Sequence, residues 1–245
     1  MLRGVRATGA GKIQHVIFVV QENRSFDNLF QGYSGADTVS KGLNSHDQTI
    51  ALQPVSLKTV YVIDHSAEAM FAACNGTGSI PGTNCRMNGF DNENSFGGPP
   101  NPQYVYVPHS ESKPYFKMAH QWVVADNAFQ SHLDESFVSH QYAIAAQAQS
   151  SVDLPFSLLW GCAGGTGDQV ATIDQNRQLG SPYQQACFDY QTLGDELDTA
   201  KLSWRFYAVR YGNDQGGNGG TWSAYQAIRH IFYGADWKKN VISPN

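Results

Sequence analysis

Short apolar runs, separated by long polar and glycine-containing stretches, mark the predicted strands of this chain. Residues 16–20 form an uninterrupted apolar run rich in β-branched side chains, which is typical of a strand buried on both faces of a parallel sheet. Similar short runs predict strands at residues 59–63, 122–125 and 202–209. Each run ends in polar residues, as strands do where they leave a sheet.

Helical patterns lie between these runs. Helices are predicted over residues 27–30, 66–71, 113–121, 136–149, 192–200 and 223–233. The helix at 192–200 opens with Thr-Leu-Gly-Asp, which is close to a capping box, and Gly234 is placed to end the last helix. Strands that alternate with helices favour an α/β fold with a mainly parallel sheet. Residues 75–102 are rich in Gly, Asn and Pro and predict a long irregular loop, which is more typical of a functional segment than of a linker.

Composition and charge narrow the class of protein. A hydrophobic content of 41% with 15% charged residues is typical of a globular protein rather than a disordered one. The formal net charge is -5 and no run of Lys or Arg occurs, which argues against a nucleic-acid partner. A small anionic substrate stays compatible with this charge, because a metal ion could neutralise it locally. No apolar stretch approaches the roughly 20 residues that span a bilayer.

The four cysteines predict two local disulfides. Cys74 with Cys85, and Cys162 with Cys187, flank loop-like segments, and neither spacing resembles a zinc site. Free thiols are the alternative. Disulfides imply an oxidising compartment, whereas residues 1–12 lack the apolar segment of a signal peptide. An incomplete N-terminus is one way to reconcile these two observations.

Two oxygen donors follow the first predicted strand. Glu22 and Asn23 come directly after the run at 16–20, and ligands of parallel sheets bind beyond the carboxyl ends of the strands. Adjacent carboxylate and amide oxygens suit a divalent cation or a phosphate-bearing site, and oxygen ligands favour Mg, Ca or Mn over Zn. Arg24 could orient Glu22 or meet substrate, or it could form a salt bridge with Asp27.

A second polar cluster surrounds the start of the predicted helix at 136–149. A hydroxyl at a helix N-terminus, here Ser136, meets unpaired N–H groups that bind phosphate and favour an alkoxide, but serine at this place is also a common N-cap. His140 lies one turn later on the same face, where it either supports the site or packs in the core. His230 is interpreted as a helix-face histidine.

Common catalytic signatures are missing from the sequence. It contains no GxxxxGK[ST], HExxH or GxGxxG pattern, and Gly-Tyr-Ser-Gly at residues 32–35 lacks the last glycine of a GxSxG elbow. Nucleotide-binding proteins and serine esterases of the common kinds are therefore disfavoured.

Several segments resemble one family. QHVIFVVQENRSFD at residues 14–27 is similar to the opening signature of a bacterial phosphoesterase family that contains phospholipases C and an acid phosphatase. The pattern Ser-x-x-x-His-x-Tyr, formed by Ser136, His140 and Tyr142, falls where that family places its Ser or Thr nucleophile. Asp-His-Ser at 64–66, Asn-Gly-Phe-Asp at 88–91 and Tyr-Gly-Ala-Asp-Trp at 233–237 fit it as well.

The resemblance implies a fold and a chemistry. The fold is an alkaline-phosphatase-like α/β/α sandwich, with residues 13–245 as the N-terminal part of the domain after a flexible segment at 1–12. A divalent metal is held by Glu22, Asn23, Ser136 and two adjacent Asp residues, and Ser136 attacks a phosphate ester or phospholipid to form a phosphoserine. His65 corresponds to a family histidine that contacts phosphate, whereas a structural role in the turn at 64–66 is its alternative. Family members are usually secreted or periplasmic.

Two departures from the family pattern matter. Asp134 and Glu135 stand before the nucleophile, where the family usually has glycine, and carboxylates beside a phosphate site repel substrate unless they turn away. No Asp-Asp pair occurs in this chain, so a C-terminally truncated member with an incomplete sheet and metal site is expected. A metal-dependent phosphoesterase is the first hypothesis. An inactive relative or a binding module that lacks the complete metal site is the second.

Overall fold

The computed structural model describes residues 9–208 and 220–243. Its helices are α1 (Phe26–Phe30), α2 (Ala67–Cys74), α3 (His109–Gln121), α4 (Ser136–Ala145), α5 (Leu193–Thr199), α6 (Arg229–Phe232) and α7 (Ala235–Asn240), with 3-10 turns at Gly9–Lys12, Phe90–Asn92, Cys162–Gly167 and Ala224–Ala227. Its strands are β1 (Lys41–Leu43), β2 (Thr49–Ala51), β3 (Gln53–Pro54), β4 (Tyr61–Ile63), β5 (Ser95–Gly97), β6 (Val105–Tyr106), β7 (Ser151–Val152), β8 (Gln169–Ile173), β9 (Leu179–Gln185), β10 (Phe206–Tyr207) and β11 (Val241–Ile242). The predicted flexible segment at 1–12 lies largely outside the described residues.

The strands form small sheets. The pairs β1–β2 and β4–β5 are antiparallel, and the pairs β3–β6 and β10–β11 are parallel. The largest sheet among the described residues is β7-β8-β9, which is antiparallel throughout. The mixture of helices and strands confirms an α/β protein. The prediction of a mainly parallel sheet is wrong for the described residues, and the α/β/α sandwich stays a prediction.

The apolar run at residues 16–20 is not a strand. It has no regular secondary structure and pairs with no strand of the described residues, and Val16 and Phe18 are 85% and 86% exposed. The prediction failed because a β-branched apolar run becomes a buried strand only when a neighbouring strand supplies hydrogen bonds and another layer covers it. The predicted strand at 122–125 is absent for the same reason, and Val123 is exposed.

The other strand predictions were nearer the structure. The run at 59–63 contains β4, which begins two residues later at Tyr61. The run at 202–209 shrinks to β10, which pairs in parallel with β11, and Val209 lies outside the described residues. The antiparallel pairing of β7, β8 and β9 was not predicted.

Helices with a local start signal were predicted best. Ser66 caps α2 through its side chain, and Thr192 with Asp195 forms the predicted capping box of α5. The helix that starts at Ser136 ends at Ala145 because Ala146 adopts a positive φ of 53°. The last predicted helix is broken at Ile228, whose backbone is extended, so that a 3-10 turn and α6 replace it.

The main hydrophobic core is built around one face of α4. Phe137 and Ile144 of this helix pack with Val170 of β8 and with Ile228 and Trp237 from the C-terminal part of the described chain. The spacing of these α4 residues places them on one side of the helix. Ser136, Ser139 and His140 are half-buried on the remaining surface, so the core fixes α4 while leaving its polar side chains for other contacts.

Both predicted disulfides are confirmed. Cys74, at the end of α2, is bonded to Cys85, and Cys162 is bonded to Cys187 across a separation of 25 residues. The segment at 75–102 is irregular apart from a 3-10 turn and β5, as predicted. Among the described residues, no helix combines the length and the hydropathy that a membrane crossing requires.

Candidate active site

Ser136 is the first helical residue of α4 and not its N-cap. The N-cap is Glu135, which has an extended backbone and whose side chain forms no capping hydrogen bond. The structure therefore does not support the alternative in which Ser136 is a simple N-cap. Because the first N–H groups of a helix have no intrahelical partner, uncapped amides and the positive end of the helix dipole lie at this end of α4.

The residue before the N-cap has an unusual backbone. Asp134 has a φ of 151°, in the region that favours glycine, and it occupies the position where the resembled family usually has glycine. Its buried carboxylate accepts hydrogen bonds at 2.7 Å from the backbone N–H groups of Glu135 and Asp153. The Asp134 carboxylate is therefore held by the local backbone, while its neighbour Glu135 faces His65.

Glu22 reaches α4 through His140. The Nε2 atom of His140 lies 2.6 Å from Oε1 of Glu22, across 118 positions of the sequence. The imidazole ring lies near Trp160 and Trp222, with ring centroids 5.8 and 6.1 Å away. Since His140 follows Ser136 by one helical turn, this contact brings Glu22 to the helix face that carries Ser136. His140 thus both contacts Glu22 and packs against aromatic side chains.

Two buried polar atoms of this pair lack partners. Oε2 of Glu22 and Nδ1 of His140 form no hydrogen bond with any residue that the structure describes. A buried carboxylate oxygen without a donor is costly, and a cation would satisfy it.

Asn23 and Arg24 form the turn that follows Glu22. Asn23 is exposed and has a φ of 68°, which Asn tolerates better than most residues. Arg24 donates a hydrogen bond from Nη1 to the carbonyl oxygen of Asn23 at 2.7 Å, and its guanidinium lies 5.3 Å from the ring centroid of Tyr61. The ion pairs of the described residues do not include the salt bridge considered between Arg24 and Asp27.

His65 lies beside the N-cap of α4. Its Nδ1 donates to the carbonyl oxygen of Ile63 at 2.9 Å, and its Nε2 lies 3.7 Å from Oε2 of Glu135. The neighbours of His65 stabilise the turn. Ser66 caps α2, and the carboxylate of Asp64 accepts a hydrogen bond from the N–H of Ser66. The side chain of His65 therefore remains half exposed and faces the residue before Ser136.

An open depression of about 320 Å³ adjoins this histidine. Its lining residues are Val62, Ile63, Asp64, His65, Asn94, Ser95, Phe96 and Glu135. They come from β4 and the turn that follows it, from β5 and the residue before it, and from the N-cap of α4. One wall of the depression is therefore supplied by the long irregular segment at 75–102.

Carboxylates predominate around the start of α4. Asp134, Glu135 and Asp153 each place an oxygen atom within 4.8 Å of the others. Burial raises the pKa of all three, that of Asp134 to about 7. Burial, and then the charge of Asp64, also raises the pKa of Glu93 to about 7. Acidic groups gathered in this way repel one another when ionised, so this triad could bind a metal ion.

Sequence reasoning did not identify the whole triad. Asp134 and Glu135 were considered only as neighbours that repel substrate, and Asp153 carried no local signal. It lies beyond α4 and just after β7, and the fold brings its N–H to within hydrogen-bond distance of the Asp134 carboxylate. The predicted ligands Glu22, Asn23 and Ser136 remain predictions, as do the roles of His65 and His140.

The comparisons with known proteins place this chain in a family. The model of the phosphoesterase family matches residues 13–241. Since this match covers almost the whole chain, the protein belongs to the phosphoesterase family, and the resemblance seen in the sequence is confirmed. Membership supports a hydrolase that acts on phosphoric esters, with phosphate esters as substrates. Searches of curated proteins and of solved structures found no match.

Proposed function

We propose that this protein is a metal-dependent phosphoesterase in which Ser136 is the nucleophile. The observation that carries the proposal is the contact between Glu22 and His140. It joins a carboxylate from the start of the chain to the helix face of Ser136, although the two lie far apart in sequence. The uncapped amides at the start of α4 supply a phosphate-binding environment at the same place.

The side chains fit a divalent cation. Oε2 of Glu22 is buried without a partner, and Asn23 and Ser136 add neutral oxygen atoms nearby in sequence or on the same helix face. These are hard donors, which favour Mg, Ca or Mn over Zn. The triad of Asp134, Glu135 and Asp153 is an alternative ligand set beside the same helix end. When bound, the metal would lower the pKa of the Ser136 hydroxyl and neutralise charge on the phosphoryl group.

The chain's own groups then account for the reaction. The hydroxyl of Ser136 releases its proton to solvent and its Oγ atom forms a bond to phosphorus, while the bond from phosphorus to the leaving oxygen breaks and the leaving oxygen takes a proton from solvent. The free amides of the first turn of α4 bind the phosphoryl oxygens. His140 holds Glu22 in place, and His65 faces the entering phosphate. Water hydrolyses the phosphoserine and restores Ser136.

The substrate class proposed is a phosphate monoester or the phosphodiester of a phospholipid. The depression beside His65 is open and carries the exposed ring of Phe96, so a substrate with an apolar part could lie against it. We also propose that the fold of the complete domain is an alkaline-phosphatase-like α/β/α sandwich.

Turnover of two chromogenic substrates tests the proposal. Nitrophenyl phosphate and nitrophenyl phosphorylcholine are assayed with Mg, Mn or Ca and with a chelator. We expect turnover that the chelator abolishes, and a loss of about 10³-fold or more in kcat for Ser136→Ala, because the nucleophile is removed. Glu22→Gln should raise the metal concentration required for half-maximal activity.

Matched variants separate these effects from general damage. Ser131→Ala removes an exposed serine just before the helix, and Glu196→Gln removes an exposed carboxylate of α5; both should behave like wild type. Equal rates for Ser136→Ala and wild type would contradict the nucleophile assignment. Binding of a phosphate ester without turnover under any metal would instead favour the inactive relative or binding module.

A further inference from the structure

A second serine of α4 contacts a histidine. The Nε2 atom of His132 lies 2.7 Å from the Oγ atom of Ser139. His132 comes from the turn that precedes α4, and its ring lies against that of Tyr142, with centroids 4.7 Å apart. The contact therefore spans the first turn of the helix and is held by aromatic packing on one side.

The geometry is that of a hydroxyl beside a base. A serine becomes a useful nucleophile when an imidazole nitrogen accepts its proton. A neutral imidazole has one ring nitrogen that can accept this proton, and Nε2 of His132 lies within hydrogen-bond distance of the hydroxyl. The Nδ1 atom of His132 is buried and forms no hydrogen bond with a described residue, so no carboxylate orients this ring.

The serine is placed where an attacked group could be stabilised. Ser139 is half-buried rather than enclosed, and helical side chains lean toward the N-terminus. Its Oγ atom is therefore directed toward the end of α4 at which the first-turn amides have no side-chain cap. Such N–H groups can stabilise the oxyanion that develops when a carbonyl carbon is attacked.

We propose that Ser139 and His132 form a nucleophile–base pair that accepts acyl groups from activated carboxylic esters. The Oγ atom of Ser139 forms a bond to the acyl carbon, and its proton passes to Nε2 of His132. The bond from the acyl carbon to the alcohol oxygen breaks, and the alcohol leaves with the proton from His132. Water then attacks the acyl-serine by the same route and releases the carboxylic acid.

This pair differs from the proposed phosphoesterase chemistry in its nucleophile, although both would use the first-turn amides of α4. It uses neither Ser136 nor Glu22, and it needs no metal. The residues around Ser139 do not form a GxSxG pattern, so the pair has no recognisable motif in the sequence. The acylation therefore stands or falls independently of the phosphoesterase assignment.

Acetylation by nitrophenyl acetate tests the pair in the full chain. Wild-type protein is mixed with the ester, quenched in acid and mapped by tandem mass spectrometry. We expect one acetyl group to form on Ser139. Its formation should coincide with a burst of released nitrophenolate. Ser139→Ala should abolish the burst. His132→Gln should slow acylation by about 10²–10⁴-fold, the usual contribution of a general base.

Two control variants, together with the mapped labelling site of the wild-type protein, distinguish acylation of Ser139 from non-specific acylation. Ser131→Ala and His120→Gln remove an exposed serine and an exposed histidine and should acylate at the wild-type rate. Acetyl groups found on Ser136 or on lysines, or no acylation, would overturn the proposal. So would a His132→Gln variant that acylates as fast as wild type. The site of labelling is read on the wild-type protein and does not depend on how the variants fold.

Discussion

The main hydrophobic core and the run at residues 16–20 are both apolar in sequence, but the core residues are buried and the run is exposed to solvent. In the main core, Val170 and Ile228 are completely buried, whereas Ile17 and Phe18 in the run at 16–20 are 85% and 86% exposed. These two core residues pack with Phe137 and Ile144 of α4 and with Trp237 of α7. The run at 16–20 has no paired strand among the described residues. Apolar composition therefore indicates which residues gain from burial, but burial itself requires a partner.

The candidate site lies where these two regions meet. Glu22 follows the exposed run, and His140 belongs to the helix whose other face forms the core. One half of the site is thus held by dense packing, while the other is joined to it by a hydrogen bond. This difference can be measured.

Truncation of one isoleucine in each region gives the largest expected contrast. Ile228→Ala should lower the free energy of unfolding by about 2–5 kcal/mol, because it leaves a cavity in a packed core. Ile17→Ala should change it by less than about 0.5 kcal/mol, because the side chain already contacts solvent. Urea unfolding of both variants measures the difference. A large loss for Ile17→Ala would show that the run at 16–20 is packed in solution and would break the comparison.

Removal of a disulfide tests what holds the core region together. Replacing Cys162 and Cys187 by Ala should cost about 2–4 kcal/mol, since the bond closes a loop of 25 residues. Replacing Cys74 and Cys85, which close a loop of 11 residues, should cost less, because a shorter loop loses less entropy. Thermal unfolding of the two double variants ranks them. The reverse order would mean that local contacts, and not loop closure, dominate.

A smaller, pH-dependent effect is expected at the edge of the core. His230 lies between two carboxylates, with Nδ1 at 2.6 Å from Asp189 and Nε2 at 3.0 Å from Asp195. Burial alone would lower the pKa of His230, but the hydrogen bond to Asp189 and the charges of both carboxylates outweigh it, and the pKa is raised. The protonated form is therefore favoured in the folded state. This stabilisation is fully present below the unfolded pKa of about 6.5 and is lost as the pH rises through the raised folded pKa.

The size of this pH effect is limited by exposure. The side chains of His230 and Asp189 are 39% and 58% exposed, so the loss from about pH 6 to about pH 9 should stay below about 1 kcal/mol. Urea unfolding across this range measures it, and His230→Gln should remove this part of the slope. An unchanged slope in the variant would exclude His230 as its source.

Local signals in the sequence predicted much of the secondary structure. The capping box of Thr192 and Asp195, the cap at Ser66 and the start of α4 at Ser136 each depend on neighbours within a few residues. The two disulfides were also predicted, because each closes a loop within one segment. What the sequence did not predict is non-local. The pairing of β7, β8 and β9 and the exposure of residues 16–20 depend on which distant segments come together.

The same division holds for the candidate site. Glu22, Asn23, Ser136, His65 and His140 were recognisable from their local patterns and from the family resemblance. The contact of Glu22 with His140, the approach of Asp153 to Asp134 and the pair of His132 with Ser139 join positions that no local pattern connects. His230 was interpreted as an ordinary helix-face residue, because Asp189 and Asp195 approach it from other elements.

Trapping of the phosphorylated enzyme tests the central claim most directly. The full chain is mixed with nitrophenyl phosphate and a divalent metal, quenched in acid and mapped by mass spectrometry. We predict a phosphoryl group on Ser136 that is absent from Ser136→Ala and from samples with chelator. A phosphoryl group on Ser139 or on His65, or turnover without any label on Ser136, would contradict the account.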